Sequence, residues 1–129
     1  MASWYGMSRS NYFRVKDEAA FRKWAEDLKL VVVSDAEGRF GIYSGTEDGG
    51  FPSERVGGGE VDYEMEDIDL VAELATHLVE GSVAILMEAG HEKARYVSGY
   101  AVALNHEGIQ VVLRLSDIYP RLPSSSIPM

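Results

Sequence analysis

Residues 82–115 read SVAILMEAGHEKARYVSGYAVALNHEGIQVVLRL, and the fold class turns on this stretch. Ser82 to Glu88 is a short apolar run just after Gly81, which predicts a buried strand. Gly90 to Lys93 carries turn residues. Ala94 to Asn105 predicts a second, long strand, with Gly99 marking a bulge or bend. Asn105-His106-Glu107-Gly108 is turn chemistry again, and Ile109 to Leu115 alternates as a third strand does. Strands joined by short turns imply an antiparallel or mixed sheet.

Upstream of this block the period changes. Leu70, Val71, Leu74, Ala75, Leu78 and Val79 recur at helical spacing, with Asp67 or Asp69 as cap and Gly81 as stop. That helix turns Glu73, Thr76, His77 and Glu80 outward. A first helix starts at Asp17, with Glu18 in its first turn and Phe21, Trp24, Ala25 and Leu28 as its apolar stripe. Trp24 reads as a core anchor. Leu30 to Val33 and Phe40 to Tyr43 flank Asp35-Ala36-Glu37-Gly38 and predict a hairpin. Asn11 to Val15 predicts a short strand, and residues 44–59 a loose, glycine-rich loop. The order β-α-β-β-(β)-α-β-β-β predicts an α+β domain. Its sheet has five to seven strands, antiparallel or mixed, with two amphipathic helices on one face. Residues 1–10 read as a flexible arm, 11–119 as one domain and 120–129 as a disordered tail.

The chain has 129 residues, 46% of them hydrophobic, enough for one core. It has no cysteine, so neither disulfides nor thiolate chemistry are available, and a reducing cytoplasm suits it. No apolar run approaches the ~20 residues of a membrane span. A net charge of −9 argues against direct nucleic-acid binding and against anionic membrane surfaces.

That charge is concentrated. Between Arg55 and Lys93 there are ten acids and no Lys or Arg. Without those ten of the 21 acids, eleven acids remain against twelve bases. Within the tract, Glu60-Val61-Asp62-Tyr63-Glu64-Met65-Glu66 alternates acid with apolar residue. As a strand it buries Val61, Tyr63 and Met65 and spaces its carboxylates every ~6.6 Å along one face. The row resembles a line of backbone phosphates. Glu60, Asp62, Glu64 and Glu66, continued by Asp69 and Glu73, are the candidate partner-binding residues. The same pattern also describes an edge strand charged against aggregation, or a solvated loop.

Catalytic signatures are missing from the sequence. Val97-Ser98-Gly99 lies inside a strand pattern and opens no helix, so it is no nucleophile elbow. The glycine runs at 49–50 and 57–59 lack the Lys-Ser/Thr of a phosphate loop. Glu73, His77 and Glu80 share a helical face at i, i+4 and i+7, the one arrangement that could hold a divalent ion. A metal is nevertheless not expected, and neither is any other cofactor.

SNYFRVKDEAAFRKWAEDL and HEKARYVSGYAVALN…LSDIY, about half the chain, resemble small acidic proteins encoded on bacterial plasmids, integrative elements and phages. Proteins of this size and charge in that setting include antirestriction and anti-CRISPR proteins, several of which present carboxylates in place of DNA phosphates. The resemblance implies a cytoplasmic, non-enzymatic inhibitor whose partner is a basic nucleic-acid-binding host protein. The alternative expectation is a structural or regulatory interaction module, homodimeric through its sheet, with acids that only keep it in solution.

Overall fold

A computed structural model describes residues 4–45, 49–52, 54–56, 65–92 and 96–121. In chain order the elements are β1 (Trp4–Ser10), α1 (Glu18–Asp27), β2 (Leu30–Ser34), β3 (Phe40–Ser44), β4 (Glu54–Val56), β5 (Met65–Asp67), α2 (Leu70–Ala75), β6 (Val83–Glu92), β7 (Tyr96–Asn105) and β8 (Gln110–Arg114), closed by a 3₁₀ helix (Leu115–Arg121). Six strands form one antiparallel sheet in the order β2-β3-β1-β6-β7-β8, and β4 pairs with β5 in a separate ribbon. The class is α+β, as the sequence implies.

The C-terminal strands are longer and more regular than expected. β6 and β7 pair through ten positions, from Val83 opposite Asn105 to Glu92 opposite Tyr96. β6 therefore runs past the turn expected at Gly90. Ladder hydrogen bonds to β1 on one side and β7 on the other hold Ala89 and Gly90 in a strand that their own propensities disfavour. Gly99 is no bulge, because pairing continues unbroken through Gly99 opposite Ala89. Its missing Cβ serves packing: a Cβ there would sit 3.2 Å from the Glu88 carbonyl oxygen and 3.4 Å from Leu115 Cδ1.

The N-terminus is the largest correction. Residues 4–10, expected as a loose arm, form β1, which lies between β3 and β6 inside the sheet. Seven consecutive pairs tie it to β6, from Trp4 opposite Glu92 to Ser10 opposite Leu86. Its core-facing positions include Ser8 and Ser10, both buried, and small hydroxyls there hide the strand from a search for apolar alternation. Ser10 Oγ donates to the Asn11 carbonyl at 2.7 Å and accepts the Ile42 N–H at 2.9 Å. Residues 11–15 make only isolated bridges, Phe13 to Phe40 and Val15 to Leu78. Asn11 extends the ladder with its side chain. Its Oδ1 accepts the Ile85 N–H at 2.7 Å and its Nδ2 donates to the Val83 carbonyl at 3.0 Å.

Both helices begin where their caps lie. Asp17 accepts the Ala20 N–H and Asp69 the Ala72 N–H, at 3.2 and 3.1 Å. The β2–β3 turn also follows its sequence. Asp35 Oδ1 accepts from the Glu37 and Arg39 N–H groups, and Gly38 takes a positive φ of 78°. Burial alone would raise the Asp35 carboxyl, but the hydrogen bonds and charge of Arg39, with the Glu37 N–H, outweigh it and hold it below its ordinary value.

α2 ends at Ala75, well before the Gly81 stop. Beyond it the chain turns extended, and Lys16 donates to the His77 carbonyl while Val79 donates to that of Arg14. Leu78, in this pairing, is fully buried. One buried cluster joins Phe21 and Trp24 of α1, Leu28 at its C-cap, Leu70 and Leu74 of α2, Ile42 of β3, Leu86 of β6 and Leu104 of β7. Each such large side chain contributes about 1.5–3 kcal/mol of transfer free energy. Among the described residues no helix is long and apolar enough to cross a membrane.

Candidate protein-interaction surface

The acidic residues divide sharply. Glu60, Asp62 and Glu64 lie outside the described residues. Glu66 lies on β5 with its Cα opposite that of Arg55 on β4, so the last acid of the alternating row is registered against the base that bounds the tract. Asp69 is exposed and caps α2. Glu73 departs from its expected outward position. It is half-buried, and its Oε1 accepts the Trp24 Nε1–H at 2.9 Å. Trp24 needs that acceptor, because an indole N–H buried without one costs free energy. Glu88 is also engaged inward, accepting the Phe51 N–H at 2.8 Å. A continuous carboxylate ridge running from a strand onto α2 is therefore not formed by the described acids.

His77 belongs to the same inner cluster. Its ring lies 5.1 Å from that of Trp24 and 6.0 Å from that of Phe21. Burial pushes its pKa below the ordinary histidine value, assisted by Lys16 and opposed by Glu73 and Asp17. The imidazole is thus neutral at pH 7. Because α2 stops at Ala75, Glu73, His77 and Glu80 do not share a helical face. Among the described residues no three His, Asp or Glu side chains are grouped to hold a metal.

The sheet itself presents the more prominent surface. Directly paired residues of antiparallel strands point to the same side, and sides alternate along each strand. Ser10, Leu86 and Val102 therefore share one side, where all three are buried. On the other side, Arg9, Met87, Ala101 and Leu113 form one row across β1, β6, β7 and β8. Met7, Ala89 and Gly99 form the next row, and Ile85, Ala103 and Val111 a third. This side is almost wholly apolar and open. Met7 is 73% exposed, Val111 69% and Leu113 53%. A groove of about 340 Å³ crosses it between Met87 and Leu113.

The sequence carried a signal for this surface. Val83 to Met87 is apolar at every position, the mark of a strand covered on both faces and not of one with a wet side. In the structure only Ala84 and Leu86 of that run are buried, while Val83 and Met87 face solvent. Contiguous exposed apolar patches of this kind are where proteins, membranes or ligands commonly dock. Compared with protein-family models, with curated proteins and with solved structures, the chain matches none of them, so its function is read from these surfaces alone.

Proposed function

We propose that this chain is a non-enzymatic protein-interaction module that docks through the apolar side of its sheet, with α1 and α2 both on the opposite, core side. The observation that carries the reading is the three-row surface from Arg9 to Leu113, largely apolar, on a sheet whose other side is already buried along β1, β6 and β7. Leaving Met7, Val111 and Leu113 in water has no benefit for a monomer, and association removes that cost.

A second reading is favoured by the charge distribution. Ten acids without a base between Arg55 and Lys93 suit an inhibitor that occupies the basic channel of a nucleic-acid-binding host defence protein, through Glu60, Asp62, Glu64 and Glu66. Salt separates the two. Apolar docking persists at high ionic strength, whereas carboxylate docking weakens steeply.

The experiment is capture, on the immobilised full-length chain, of bacterial lysate proteins and of an added tagged copy of the same chain at 0.05 and 0.5 M salt. Leu113→Glu is compared with the triple reversal Glu60→Lys, Asp62→Lys, Glu64→Lys. The sheet reading expects capture that survives 0.5 M salt and is lost in Leu113→Glu. Capture lost at 0.5 M salt and in the triple reversal, but kept in Leu113→Glu, replaces it with the acidic-inhibitor reading.

A further inference from the structure

We infer that the occupant of the open sheet side is a second copy of this chain, packed face to face about a two-fold axis. The inference rests on the interaction-module reading above and names its partner.

Shape is the first ground. Along β7 the open side presents Gly99, Ala101 and Ala103, and these small residues form a floor. Met87 on β6 stands on one side of it, with Leu113 and Leu115 on the other. The result is a trough flanked by ridges of Met and Leu. A two-fold interface brings the same patch together with itself, so each copy must carry both the protruding and the receiving part. This surface carries both. Sheets stacked in this way sit about 10 Å apart with strands about 30° from alignment, which lets ridges settle into troughs.

Charge is the second ground. Among the described side chains that β1, β6, β7 and β8 turn to this side, Arg9 is the only Lys, Arg, Asp or Glu. A surface made for a basic or acidic partner would carry the complementary charge. A nearly uncharged surface meets its own copy without local repulsion, although each chain carries a net −9 overall.

Area is the third. The four strands comprise 7, 10, 10 and 5 residues. At ~3.4 Å per residue and ~4.8 Å between strands they tile roughly 500 Å² of plane, and side-chain relief brings this toward the ~800 Å² per partner of a standard interface.

The sheet edge offers less. The Asn105 N–H donates to the Ile109 carbonyl, so alternation turns the backbone groups of Gln110, Val112 and Arg114 outward from β8. The Arg114 N–H is taken by the Asp117 carboxylate at 2.6 Å, which closes one end of that short edge.

The test is sedimentation velocity of the full chain from 1 to 200 µM at 0.05 and 0.5 M salt, with Val111→Glu, Leu113→Glu and, away from the surface, Glu80→Lys. The expected result is a dimer that is equally tight or tighter at 0.5 M salt, because salt screens the repulsion of two negative chains. Each interface substitution enters a two-fold dimer twice, so about ten-fold per site gives about 100-fold weaker association. Glu80→Lys should dimerise at least as tightly as the unmodified chain. Circular dichroism checks that both interface variants, at positions exposed in the single chain, stay folded. A chain that is monomeric at 200 µM overturns the inference, as does a dimer unchanged by both interface variants. Binding of an apolar fluorescent dye then distinguishes the two failures. A folded monomer that binds the dye, and loses it in Leu113→Glu, keeps an open docking side without self-association. A monomer that does not bind the dye removes the interaction-module reading as well.

Discussion

Replacing Glu73 by Ala tests whether that carboxylate serves the fold or a partner. Its Oε1 accepts the hydrogen bond of Trp24 Nε1 at 2.9 Å, and Trp24 is only 9% exposed. Removing the acceptor leaves a mostly buried donor without this partner, which costs about 1–3 kcal/mol. Loss of an acid from the first turn of α2 adds a few tenths, and the better helix propensity of Ala returns about as much. The net is therefore about 2 kcal/mol. A chain of 129 residues unfolds with an entropy of roughly 0.27 kcal/mol/K, so Tm should fall by about 7 °C. Glu73→Gln keeps a carbonyl oxygen in place and should cost less than ~1 kcal/mol. The assay is urea unfolding followed by circular dichroism, with Trp24→Phe as the second arm of a double-mutant cycle. When Trp24→Phe is already present, Glu73→Ala should become nearly neutral, giving a coupling of about 1–2 kcal/mol. An Ala variant within ~0.5 kcal/mol of the unmodified chain, or an equal loss in both backgrounds, refutes the structural role and returns Glu73 to the acidic surface.

Two further outcomes follow from the same structure. His77 has a pKa below its unfolded value of 6.5, so its neutral form is favoured by folding. Between the two values the unfolded state binds more protons; stability is full above pH 6.5 and declines as pH falls through the folded value. His77→Gln should flatten that part of a Tm-against-pH profile, and an unchanged profile would remove His77 as its source. Asn11→Ala should lose about 1–3 kcal/mol, because the Ile85 N–H and Val83 carbonyl it bridges are left without their side-chain partner; chemical unfolding measures it, and a loss under ~0.5 kcal/mol would show that water replaces the amide.

What could be read in advance depended on how locally each feature is determined. The caps at Asp17 and Asp69 and the Asp35–Gly38 turn are decided within four residues, and side-chain chemistry there is enough. β2 was legible as a β-branched run, and β3 and β8 because a period of two survives in their sequences. β1 was not. Its buried core positions, Ser8 and Ser10, are small and polar, and its extended state is stabilised by β3 and β6, the latter from some 80 residues away. The end of α2 escaped for the same reason, since the pairing that stops it involves residues 14–16. Glu73 shows the limit for single side chains. Helical spacing placed it outward, and only the approach of Trp24 from α1 turned it into an internal acceptor.

By itself, then, the sequence determined the class, the local punctuation and the uneven charge, because these depend on residue type and near neighbours. Tertiary structure alone decided which strands lie beside which, and therefore that one apolar side is consumed by the core while the other stays open. The reason is physical: a strand's alternation says only that two sides exist, and which of them is covered depends on long-range pairing that no local pattern encodes.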